Sequence, residues 1–154
     1  MEVRGTKMIL KFNDDFFVQW DVIFALNDGL NLGIFNFWIQ DTCYPGKGIN
    51  ITLNSIFYTL VSNIEVINNL KKDFGEKPIN EIDFSSLDGD NFVWIDTGEL
   101  FQFGFGLGLG FNNNMERIFY IKDFEESFQE INLPKGSFMR ILEGIKSLDS
   151  DNAY

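Results

Sequence analysis

The stretch "ELFQFGFGLGLGFNNNMERIFYI", residues 99–121, decides how this chain folds. Every odd position from Phe101 to Phe111 is Phe or Leu, and every even position from Gly104 to Gly110 is glycine. A dinucleotide-binding turn needs glycines at i, i+2 and i+5; from Gly104 the third falls on Leu109, and from Gly106 on Phe111. A phosphate loop needs Gly-Lys-Ser/Thr, and no lysine follows these glycines. A membrane helix needs about 20 apolar residues, but Asp96 and Glu99 precede the run, with Glu116 and Arg117 after it. Period two is the strand period. The stretch is therefore expected to be a strand over 101–111, with a heavy apolar face and a nearly bare one. A bare face admits close approach by another backbone, so an internal helix is expected to fill it, a ligand or partner being the other candidate.

Working outward, "MERIFYIK" (115–122) is the next strand, joined through the "NNN" turn. Upstream, "DFFVQWDVIFAL" (15–26) alternates, with Phe16, Val18, Trp20, Val22 and Phe24 on one face. "NDG" (27–29) supplies turn chemistry, and "LNLGIFNFWI" (30–39) completes a long hairpin. "CYPGKG" breaks the chain. Ile56, Leu60, Ile64, Ile67 and Leu70 then form a helical stripe widened by Phe57 and Val61. Thr52 or Asn54 is the expected cap, with Lys71 and Lys72 at the negative helix end and Gly75 as terminator. Residues 76–90 are expected to be an acidic surface loop, and "NFVWID" a short strand. Phe138, Ile141, Leu142, Ile145 and Leu148 repeat at helical spacing behind Ser137, a candidate cap. The expected fold is α+β: one domain over 1–154, with residues 1–7 and 149–154 peripheral. It has a mostly antiparallel twisted sheet of five to six strands and two main helices packed on one face.

Composition narrows function. With 154 residues, 45% of them apolar and 18 of them Phe, the chain can bury a real core. Twelve basic against 23 acidic residues leave −11, the wrong sign for neutralising nucleic-acid phosphates. There is no histidine, which removes Ser-His-Asp and Cys-His catalysis and His-ligated zinc. Cys43 is the single cysteine, so no internal disulfide forms. The opening "MEVRGTKMILKF" shows no signal-peptide pattern, so a cytoplasmic protein is expected, and the "NIT" match at 50–52 reads as chance. "DGDN" (88–91) fails as an EF-hand, because Phe92 and Val93 stand at its fifth and sixth positions. Adjacent Glu125 and Glu126 point to opposite faces of a strand, a solvated pair rather than a glycosidase pair. No enzyme, cofactor or metal site is expected. Trp20, Trp38 and Trp94, with the glycine face, leave a small-ligand or carbohydrate-binding domain as the alternative function.

"MILKFNDDFFVQWDVI" from Met8, with Phe16, Val18, Gln19, Trp20 and Asp21, resembles the opening of the Imm42 family of bacterial immunity proteins. "LGIFNFWIQDTCYP", with Gly33, Phe35, Phe37, Ile39 and Pro45, resembles that family's Gly-aromatic-x-aromatic strand and its Tyr-Pro turn. "TLNSIFYTL" resembles the opening of its helix. The likeness covers residues 8–62 well and the rest loosely, with 1–7 as an extension. It implies a non-enzymatic protein that binds and blocks the C-terminal domain of a polymorphic toxin in the producing cell. Many such toxins are nucleases with basic clefts, which an acidic partner would occupy. The candidate partner-binding residues are therefore two acidic clusters: Glu81, Asp83, Asp88 and Asp90, and the segment Asp123, Glu125, Glu126 and Glu130. The 81–90 loop is preferred, because loops carry recognition more often than strands.

Overall fold

A computed structural model describes residues 2–11, 13–46, 48–122 and 127–151, the side chains of 2–7 and 149–151 excepted. The fold is α+β, and its strands divide into two antiparallel sheets instead of forming one. The first sheet runs in the order β1 (Glu2–Lys11), β2 (Phe16–Ala25), β3 (Asn31–Ile39) and β4 (Thr42–Tyr44), with β5 (Ile51–Thr52) also paired to β3. The second runs in the order β6 (Val93–Ile95), β7 (Gly106–Asn112), β8 (Met115–Ile121) and β9 (Gln129–Pro134). Helix α1 (Leu53–Asn68) leads from β5, and α2 (Ser137–Asp151) follows β9.

The long hairpin forms as its alternation requires. Phe16, Val18 and Trp20 are buried, but a bulge between Val22 and Phe24 breaks the phase, leaving Val22 and Phe24 half-buried. Gly33 is obligatory beside that bulge: a Cβ there would overlap the Asp21 carbonyl oxygen. One continuous core draws on both sheets and both helices. Phe37 stacks on Phe105 at 5.3 Å, and Tyr44 packs against Tyr120 at 5.8 Å, joining the first sheet to the second. Phe138 of α2 meets Phe16 edge-on at 5.7 Å.

Helix α1 buries Leu53, Ile56, Leu60, Asn63 and Ile67. It ends at Asn68, short of Lys71, Lys72 and Gly75. The backbone N–H groups of both lysines instead donate to the Asp90 carbonyl, where the following loop returns. Thr52 is the N-cap residue but makes no side-chain cap bond. Asn54 ties the helix to the hairpin turn, accepting from Asn31 N at 2.6 Å and donating to Gly29 O at 3.2 Å.

The start of α2 is capped from another element. The Ser137 hydroxyl donates to Pro134 O, while the Glu116 carboxylate of β8 accepts from Gly136 N at 3.0 Å and Phe138 N at 2.7 Å. A carboxylate at a helix N-terminus satisfies orphan donors and complements the dipole. Burial nevertheless pushes the Glu116 pKa up, outweighing those two bonds and the nearby Arg140.

Candidate protein-interaction site

The glycine strand is shorter than its pattern predicts. Gly98–Phe103 is a 3-10 turn, closed by Gly104 in the left-handed region at φ 92°. Leu100 is buried by that turn, while Phe101 and Phe103 are thrown outward, 56% and 40% exposed. Only from Gly106 does the strand run, with Leu107 and Leu109 in the core.

The bare face is filled, though not by a helix. The loop between α1 and β6 crosses it with aromatic side chains. A Cβ at Gly108 would overlap the Phe92 ring, and one at Gly110 would stand 2.6 Å from Phe74 Cβ. Phe119, Phe92, Phe74 and Phe84 form a cluster with ring separations of 5.3 to 6.4 Å, on the side of the sheet away from the main core. The glycines thus make a trough that admits rings against the sheet. Arg117 fastens the loop: its Nη1 donates to Gly75 O at 3.0 Å, and its guanidinium lies 5.5 Å and 5.0 Å from the Phe74 and Phe119 ring centres. Phe74 N and Gly75 N both donate to Phe111 O.

Beyond Phe92 the trough stays open. Phe84, Trp94, Phe101 and Phe128 border a groove of about 490 Å³ whose floor includes Gly106, Leu107 and Ile121. Phe84 stacks on Phe128 at 4.4 Å, and Trp94 packs 5.5 Å from Phe128 while remaining 46% exposed.

The structure joins two features that the sequence kept apart, the glycine strand and the acidic loop, since Phe84 lies between Asp83 and Ser85. The Asp83 carboxylate accepts from Ser85 N at 3.1 Å, the Ser85 hydroxyl at 2.5 Å and the Ser86 hydroxyl at 3.2 Å. These bonds, the Ser85 hydroxyl foremost, hold the Asp83 pKa below the ordinary aspartate value. Asp83 therefore shapes the turn that presents Phe84. Asp88 Oδ1 accepts from Asp90 N at 3.0 Å, another local turn, and the exposed Asp90 carboxylate is 3.8 Å from Lys72 Nζ. Glu81 is exposed on the 3-10 turn Ile79–Glu81. Asp123, Glu125 and Glu126 lie outside the described residues. Glu130 is not a surface charge: it is bound to Arg117 with only 15% of its side chain exposed.

The tryptophans do not converge into one platform. Trp20 is buried against Phe35, and Trp38 stacks on Phe17 in the first sheet with its indole N–H on Gln19. Trp94 alone reaches the groove. A second groove of about 350 Å³, between the end of α1 and the start of α2, is lined by Lys71, Lys72 and Lys135 together with Asp73 and Glu116. Its charges are mixed, and no exposed aromatic cluster borders it.

Arg117 and Asn63 escaped sequence reasoning. Asn63 was legible as the one polar residue falling on the buried stripe of α1. Its amide bonds Asp96 N at 2.9 Å and Asp96 O at 3.0 Å, fixing the residue that follows β6.

An aromatic groove beside exposed carboxylates has the chemistry of a protein-binding surface, where buried aromatic anchors carry affinity and charges sit at the rim. The model of the family described as Immunity protein 42 matches residues 8–148, and the chain belongs to that family. Membership implies an immunity protein for a polymorphic toxin, with a cognate toxin as partner. No curated protein and no solved structure gives a significant match. Among the described residues, no helix is long and apolar enough to cross a membrane.

Proposed function

We propose that this protein neutralises its cognate toxin by stoichiometric binding in the cytoplasm of the producing cell, performing no reaction itself. The observation that carries this reading is the family match across residues 8–148. The lack of histidine supports it, since the commonest general base and two nucleophile-activating arrangements are missing. The toxin domain is basic, a nuclease being the class that best suits a partner of net charge −11. The loop bearing Glu81, Asp83, Asp88 and Asp90 faces it, the carboxylates standing where phosphates would otherwise bind.

The test is titrated co-expression with the toxin domain encoded beside this chain's gene. Growth should be restored at about one-to-one stoichiometry, with a stable complex on gel filtration. Rescue by strongly substoichiometric amounts would point to catalysis and sink the proposal.

A further inference from the structure

Resting on that proposed function, we infer that the groove bordered by Phe84, Trp94, Phe101 and Phe128 receives an apolar anchor side chain of the toxin domain, flanked there by Lys or Arg. The borders are aromatic, and two of them remain largely exposed, Trp94 at 46% and Phe101 at 56%. Exposed aromatics gathered into one concavity are unusual on a soluble surface and mark interaction sites. Such residues dominate the energetics of interfaces when a partner desolvates them.

Charge selects the occupant. Exposed acidic residues adjoin the lining in sequence at two points: Asp83 precedes Phe84, and Asp96 follows Ile95. The nearest lysine in sequence, Lys122, directs its ammonium to the Tyr44 ring, 5.9 Å away, in a different cavity. An apolar groove with acidic residues next to its lining matches an apolar anchor set among cations. The floor is also pre-built, because Asp83 locks the turn bearing Phe84 and Gly106 carries no side chain into the groove. Little ordering remains to oppose binding.

The experiment uses the full chain and the toxin domain encoded beside its gene. Calorimetry compares wild type, Trp94→Ala, Phe101→Ala and, as a remote control, Tyr58→Ala on α1, where Tyr58 is 79% exposed. Either groove variant is expected to weaken binding by about 30-fold or more, equally at low and high salt, with Tyr58→Ala unchanged. A second measurement is independent of how the variants fold: in a Trp38→Phe background, toxin addition should blue-shift the emission of Trp94, since Trp20 is already buried. Wild type that binds while both groove variants bind equally well, with no shift, overturns the groove and leaves toxin neutralisation standing. Wild type that fails to bind overturns both. Concentration-dependent dimerisation that Trp94→Ala abolishes and toxin does not displace, or a small molecule retained in native mass spectra, assigns the groove to another occupant and overturns the inference.

Discussion

Arg117 and Glu130 form a two-point ion pair across β8 and β9, with Nε to Oε2 at 2.6 Å and Nη2 to Oε1 at 2.9 Å. Only 6% and 15% of the two side chains are exposed. The remaining Arg117 nitrogen holds the Gly75 carbonyl, so one guanidinium links a sheet edge to the loop that carries the acidic cluster. Removing either partner strands a largely buried charge, at a cost of about 3–5 kcal/mol. Arg117→Met is therefore expected to lower the urea midpoint sharply and to speed proteolysis within residues 74–92. Arg117→Met combined with Glu130→Leu should recover part of that loss. If the double variant is less stable than both singles, the pair is not the fastening it resembles.

Gly108 is expected to tolerate no side chain. Gly108→Val drives atoms into the Phe92 ring, and overpacking of this kind costs about 1–3 kcal/mol. Adding Phe92→Ala in the same chain removes the obstruction, so the double variant should lose less stability than the sum of the singles. Gly106→Ala meets Ile121 Cγ2 at 3.1 Å and the Phe101 ring at an ordinary contact distance of 3.8 Å, and should be milder. Thermal unfolding of the four variants checks the order. Additive losses at Gly108 and Phe92 would mean that the ring moves aside freely.

Asn63→Leu keeps the apolar stripe of α1 but leaves Asp96 N and Asp96 O without their partner. An unsatisfied buried polar group costs about 1–3 kcal/mol. Hydrogen exchange at the Asp96 amide should rise along with the loss of stability. Unchanged exchange there would show that water replaces the amide.

The α+β class, the long hairpin, both helices and the strand character of 106–111 were legible because each has a period that backbone geometry imposes. The division into two sheets was not, since no local pattern says which strands share an edge. The turn at Gly98–Phe103 was hidden because Phe101 and Phe103 continue the alternation in sequence while Gly104, at φ 92°, reverses the chain. Filling of the glycine trough by Phe74 and Phe92 depends on contacts across more than thirty positions in one case and sixteen in the other, as does the bond from Arg117 to Gly75. The acidic loop was visible as composition. That Asp83 spends its carboxylate on Ser85 and Ser86 was not, and this changes how its charge is best tested.

Glu116 gives a pH signature. Its pKa is raised in the folded protein, so the folded state holds the proton more tightly than the unfolded chain. The contribution of this group to stability is full below the ordinary glutamate value and is lost as pH rises through the raised one. Glu116→Gln cannot titrate. The difference in unfolding free energy, wild type minus variant, should therefore fall as pH increases from the acidic side of that window to neutrality. Denaturant titrations at matched ionic strength check the sign. A difference that grows with pH would mean that the Gly136 and Phe138 N–H bonds outweigh burial.

The acidic loop must be tested without dismantling it. Asp83 and Asp88 hold turns through carboxylate oxygens, so Asp→Asn keeps an acceptor and removes the charge, whereas Lys would break the turn. Glu81 is exposed and can be reversed outright as Glu81→Lys. The Asp90 carboxylate makes a long, exposed pair with Lys72, such pairs contribute about 0–1 kcal/mol, and the backbone bonds of Asp90 survive the substitution, so Asp90→Asn should leave folding intact. The combined Glu81→Lys, Asp83→Asn, Asp88→Asn, Asp90→Asn chain is expected to melt close to wild type and to associate with a basic toxin domain far more slowly. Rim charges act mainly on the on-rate, so the deficit should shrink as salt rises. Stopped-flow association at low and high salt is the measurement. An on-rate equal to wild type at low salt would remove the loop from the encounter surface and leave its charge to solubility alone.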